Sequence, residues 1–271
     1  MSRLFAYLGN DPVLLCEALD RCGNSLCCEL GEAAQGWGVG YYHDERALVH
    51  KRPGAIEGHC DLRELCAELQ SMALIAHLRQ AVQGAVSPEN TQPFRFRNWL
   101  FAHIGQVTHS ADANQALHER LPNFLQHNIN GVTDSELALH FFFASLRDYG
   151  RVDREILPVQ QLLDAGTRTV RALKSTLEDA SQRQTPQLDM LFCSGRMLVA
   201  INHGPARLFN LRFEGLENSV RGAAEGFRAQ LLAFDAGSPG EHDEAKPQWR
   251  ELPANSIVVI DENFELHVEV S

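Results

Sequence analysis

The sequence predicts an α+β layered fold, with strands and helices grouped rather than alternating. Three observations predict it. Short runs rich in β-branched and aromatic residues cluster toward both ends of the chain. Apolar residues at helical spacing fill the middle. The two kinds of run do not follow the strand–helix–strand order that a parallel sheet requires.

Taken in order, residues 3–9 (RLFAYLG), 37–43 (WGVGYYH), 46–51 (RALVHK), 72–79 (MALIAHLR) and 98–107 (NWLFAHIGQV) read as strands, each bounded by Gly, Pro or Asn. Between them, residues 12–22 open on Pro12 and residues 61–70 on Asp61, and both carry apolar residues at helical spacing. Longer helical stretches follow at 134–149 and 154–182. Strands return over 190–202, 206–213, 256–261 and 264–270, and the turn formers and charges of 235–248 (DAGSPGEHDEAKPQ) predict a surface loop.

With 271 residues, 44% of them hydrophobic, the chain can bury a substantial core. Its net charge of −11 argues against a nucleic-acid partner or an anionic membrane surface. The sequence lacks a basic segment leading into an apolar leader, and no apolar run reaches the roughly 20 residues of a membrane span. The expectation is a cytoplasmic protein that handles a small molecule. Cys16, Cys22, Cys27, Cys28, Cys60 and Cys66 crowd the first quarter without a Cys-x-x-Cys spacing, so they read as buried free thiols. No metal and no cofactor are expected.

Ser2 becomes the first residue when Met1 is removed, and a hydroxyl there can use its own α-amino group as base. Arg79 at the end of a strand presents a planar, bidentate cation suited to a carboxylate, although a solvated ion pair would use the same residue type. Thr133 and Glu136 have capping-box spacing, which places Asp134 in the favourable first turn of a helix. The helix behind it, with Leu137, Leu139, Phe141, Phe142 and Phe143, reads as core. His77 and His103 read as hydrogen-bonded core histidines.

Ser2, QGWGVGYY at 35–42, AHLRQAVQG at 76–84, NTQPF at 90–94, FAHIGQV at 101–107 and VTDSE at 132–136 occur in an order and spacing that resembles the class II glutamine amidotransferases. The ending WRELPANSIVVID at 249–261 is similar to theirs as well. The resemblance implies a four-layer αββα N-terminal-nucleophile hydrolase sandwich of two stacked antiparallel sheets, formed by residues 1–271 as one stand-alone domain. It also implies roles for single residues. Ser2 stands where the family has its cysteine nucleophile. Arg79 matches the arginine that grips the substrate α-carboxylate, Asp134 the aspartate that holds its α-amino group, and Gly105 the glycine whose N–H helps form the oxyanion hole.

Other positions depart from the family pattern. Its HNG motif supplies an asparagine donor to the oxyanion, whereas this chain reads His103-Ile104-Gly105. Losing such a donor typically costs roughly 100- to 1,000-fold in rate. Gln35, Val82 and Gln92 replace Asp, Thr and His of the family's Gly-Trp-Gly, R-x-A-T and N-T-H-P-F segments. The resemblance therefore implies a pocket for glutamine or a γ-glutamyl amide with reduced or lost hydrolysis. Two alternatives stay open: an active serine-nucleophile amidohydrolase, and a non-catalytic structural subunit. Any transfer of ammonia would need a partner chain.

Overall fold

The computed structural model describes residues 3–22, 27–28, 34–54, 60–61, 66, 68–80, 86–150, 154–180, 185–219, 222–234 and 248–271. Their strands are β1 (Arg3–Gly9), β2 (Cys27–Cys28), β3 (Ala34–His43), β4 (Arg46–Pro53), β5 (Cys60–Asp61), β6 (Ala73–Gln80), β7 (Phe94–Phe96), β8 (Trp99–Ile104), β9 (Leu188–Cys193), β10 (Leu198–His203), β11 (Leu208–Ser219), β12 (Gly222–Phe234), β13 (Arg250–Glu251), β14 (Ser256–Ile260) and β15 (Leu266–Val270). The helices are α1 (Leu15–Arg21), α2 (Ala111–Arg120), α3 (Asn123–Gln126), α4 (Asp134–Arg147) and α5 (Val159–Asp179).

Two antiparallel sheets stack on each other. One runs β13-β11-β12-β1-β6-β3-β4 and the other β15-β14-β10-β9-β8-β7. The alternation of side chains along β1 shows how the layers are built. Leu4, Ala6 and Leu8 point between the sheets, where they meet Ile75, Leu100, Ala102, Leu191 and Val258. Phe5 and Tyr7 point the other way, onto Leu15, Ala18 and Leu19 around α1. On the far side of the second sheet, Phe101, Phe192, Val199 and Ile257 pack against Leu117 of α2, Phe142 of α4 and Leu173 of α5. Both faces of the central strands are thus buried, which is why they read as continuous apolar runs and not as alternating ones. The result is the predicted αββα sandwich, an α+β fold.

Several elements differ in detail from their predicted spans. The strand region at 190–202 is a hairpin, β9 and β10 turning at residues 194–197. Asp61 does not open a helix: it lies in β5, in register with Cys27 of β2. Half of the helix predicted over 61–70, and nearly all of the loop predicted at 235–248, lie outside the described residues.

Candidate functional site

The candidate residues are collected by strand register. β1 begins with Arg3 opposite Leu78, one residue before Arg79, the penultimate residue of β6. Ser2 lies outside the described residues. The next residues inward, Leu4 and Gly38, both register with His77. Gly38 comes so close to the other layer that a Cβ there would stand 2.1 Å from the Gln92 carbonyl oxygen, so only glycine lets the sheets approach. Gln92 in turn takes the His103 N–H on its Oε1 at 2.5 Å. The start of β1, the end of β6 and the end of β8 therefore meet at one end of the sandwich.

β8 ends at Ile104, and Gly105 follows with φ +115°, in the region that side chains rarely adopt. A Cβ on Gly105 would also lie 2.6 Å from Cβ of Gln187. Conformation and space together require glycine at the position where the resemblance puts an oxyanion donor. Ile104 directs its apolar side chain against the core between the sheets. It has no hydrogen to donate.

Asp134 stands at the first position of α4. Its Oδ2 accepts the Val107 N–H at 2.7 Å and the Thr108 N–H at 3.1 Å, so the carboxylate anchors the turn that follows Gly105. Among the described residues its Oδ1 faces only the Ser135 hydroxyl, at a long 3.5 Å. One oxygen is structural and the other is open to a donor. Thr133 caps the helix by accepting the Glu136 N–H at 3.3 Å. The reciprocal half of the predicted capping box is absent: the buried Glu136 carboxylate reaches back to the N–H groups of Asn130 and Gly131, at 2.9 and 2.7 Å. Asn90 completes this loop by accepting the Val132 N–H at 3.0 Å.

His103 lies beneath the site and is buried, as is His77. Its Nε2 faces the Gln187 carbonyl at 2.8 Å, and a carbonyl can only accept, so Nε2 carries the proton. Nδ1 is then the acceptor of the Ser135 hydroxyl at 2.9 Å. Burial holds the imidazole below its usual pKa, opposed by the charge of Asp134 and by the Gln187 carbonyl. The Gln187 N–H returns to the Gln106 carbonyl at 3.0 Å. The turn at residues 105–108 is thus held from two sides, by Gln187 and by Asp134. Sequence reasoning missed Ser135 and Gln187, and it read Gln92 as a loss, whereas the Gln92 amide spans the His103 N–H and, at 3.5 Å, the Ser135 hydroxyl.

Burial also lowers the pKa of His140 and brings that of His203 down to about 4, the latter helped by the charge of Lys174. For these histidines and His103 the folded pKa lies below the unfolded one, so their stabilisation is complete above about pH 6.5 and falls as the unfolded chain takes up protons that the folded chain refuses. Urea denaturation is expected to give a lower stability at pH 5 than at pH 7, with a slope approaching about 1.4 kcal/mol per pH unit for each histidine titrating. His203→Asn is expected to make the slope shallower. A stability unchanged between these pH values would contradict the assignment.

Among the described residues, no group of His, Cys, Asp or Glu is placed to hold a metal ion, and no helix is long and apolar enough to cross a membrane. Cys193 is a free thiol, and burial pushes its pKa up to about 12.

Stacked antiparallel sheets between helical layers, with a strand start, an arginine and a positive-φ glycine at one end, define the architecture of an N-terminal-nucleophile amidotransferase domain. The chain belongs to the class-II glutamine amidotransferases, whose family profile matches residues 1–213. It is 24% identical over 167 residues to the probable glutamine amidotransferase DUG3 of Saccharomyces cerevisiae, a match covering 55% of this chain and 47% of that protein. It is 34% identical over 84 residues to the putative glutamine amidotransferase YafJ of Escherichia coli, covering 29% and 32% respectively. The chain thus spans less than half the length of these curated relatives. In fold it is similar to a glutamine aminotransferase class-II domain protein from Silicibacter pomeroyi, with a TM-score of 0.63 at 16% identity over 99% of this chain and 98% of that one.

Proposed function

We propose that residues 1–271 form a single stand-alone amidotransferase-like domain, cytoplasmic, that binds glutamine or a γ-glutamyl amide and hydrolyses it slowly or not at all. The observation that carries the reading is the division of labour in Asp134. Its Oδ2 is spent on the Val107 and Thr108 amides while Oδ1 keeps the capacity to receive a ligand ammonium. Arg79, one residue beyond the Arg3–Leu78 pair, is suited to the ligand carboxylate. Gly105 would offer its N–H to the amide oxygen, but Ile104 leaves that oxygen without the second donor that the family's asparagine supplies. Ser2 is the position for a nucleophile, and a hydroxyl needs its base throughout the attack where a thiol is already partly ionised. Ammonia transfer would require a partner chain.

Two measurements on the purified protein test this reading. Isothermal titration is expected to show saturable glutamine binding that Arg79→Ala abolishes. Glutamate release from glutamine and from a panel of γ-glutamyl amides is expected to be negligible and equal in the protein and in Ser2→Ala. No binding at millimolar glutamine would overturn the ligand assignment. Release that vanishes in Ser2→Ala would instead establish an active serine-nucleophile amidohydrolase.

A further inference from the structure

The flank of the sandwich where β4 and β7 lie side by side is chemically unlike the rest of the molecule. The chain carries net charge −11, yet Arg46, His50, Lys51, Arg52 and Arg95 gather on these two short strands, with Arg97 just beyond β7. None of them makes an ion pair with a described residue. Lys51 sits 5.3 Å above the Phe94 ring and donates to the Pro88 carbonyl at 3.3 Å, while Arg95 donates to the Ala47 carbonyl at 3.0 Å. An open groove of about 770 Å³ runs beside them, lined by Tyr41, Val49, His50, Lys51, Phe94 and Arg95 among others. Glu89 and Glu136 also border it and their charges act on Lys51, although the Glu136 oxygens are occupied by the Asn130 and Gly131 amides.

The backbone of β4 matters as much as its charge. Among the described residues β4 pairs with β3 alone and is a sheet edge. The outward N–H of Ala47 is taken by Asn98 Oδ1 at 2.8 Å and its C=O by Arg95, so the edge is closed at that point. By the two-residue repeat of a strand, Val49 and Lys51 turn their N–H and C=O the same way. No described residue meets them. Pro53, which has no N–H, ends the open stretch. Charged side chains are a common guard of sheet edges. Here, however, the guard of hydrogen bonds stops at Ala47, and the half-exposed Leu48 and Val49 (37% and 38%) stand between the cations.

We infer that the β4–β7 flank is a docking surface for an acidic, extended segment of a partner protein, which adds as a strand to the edge of β4 at Val49 and Lys51. Backbone pairing supplies the affinity of such a mode, and side chains set the preference. Here acidic residues of the incoming segment would meet Lys51 and Arg95, which share one face, and its apolar residues would cover Leu48 on the other.

Fluorescence anisotropy with a short labelled peptide of alternating Glu and Val tests this, against a control with Lys in place of Glu. Saturable binding of the Glu peptide alone is expected, weakened at least about tenfold by Lys51→Glu combined with Arg95→Glu and weakened further by salt. Val49→Pro, which removes an edge N–H, is expected to weaken it comparably. Hydrogen exchange in the unmutated protein covers the case in which that variant misfolds: the Val49 and Lys51 amides are expected to slow when peptide is added. No saturable binding, equal binding of the Lys peptide, or binding without slowed exchange at these amides would overturn the inference.

Discussion

Gly105→Ala is expected to lose glutamine binding and to destabilise the protein by at least about 2 kcal/mol, through backbone strain together with overpacking. The residue has φ +115°, and the added methyl would stand 2.6 Å from Cβ and 3.2 Å from the carbonyl oxygen of Gln187. Relief would require Gln187 to move, and Gln187 is the acceptor that fixes His103. Urea denaturation and titration calorimetry measure the two effects. A variant within about 0.5 kcal/mol of the parent, the usual scatter of innocuous surface changes, would show that the turn is softer than its geometry implies.

Asp134→Ala is expected to act on stability and on binding at once. It leaves the partly buried Val107 and Thr108 N–H groups without their acceptor, at a cost of about 2 kcal/mol. Asp134→Asn separates the effects. Its amide oxygen can still accept both N–H groups, so much of the stability is expected to return. The charge opposite the ligand ammonium does not return, and glutamine binding is expected to stay at least about tenfold weaker. An Asn variant that binds as well as the parent would confine Asp134 to its structural role.

How much of this was legible in the sequence depends on what each residue answers to. β1, β3, β6 and β8 were readable because their side chains are apolar on both faces and their ends are marked by Gly, Pro or Asn. β12 was not: more than half of GAAEGFRAQLLAF is Gly, Ala and Glu, poor strand formers, and it is a strand because it lies between β1 and β11. α2 escaped for the converse reason, its apolar stripe being reduced to Ala113 and Leu117, although Ser110 caps it by accepting the Ala113 N–H.

Asp134 and Gly105 were singled out through the family resemblance, and the first turn of α4 was readable through its cap. The second job of Asp134 could not be found that way, because Val107 and Thr108 reach it only after the sheet and the helix have packed. Gln187 carries no signal at all, since it acts through its backbone carbonyl, which every residue possesses. Ser135 was hidden for a similar reason, a serine in a helical first turn being unremarkable until His103 is seen beside it.

The clamp on residues 105–108 has a consequence for the order in which the molecule is assembled. The groups that hold this turn come from residues 134 and 187, far along the chain from the strand that delivers it. Closing loops of that length is slow and is rewarded only when both ends are present. A growing chain that has emerged as far as α4 already contains Ser2 and the motifs of residues 35–136 that resemble the family, but it lacks the carbonyl that orients His103. The proposed ligand pocket is therefore expected to be among the last parts of the protein to take shape during synthesis, and a fragment ending before residue 187 should keep those motifs without the carbonyl that holds the turn.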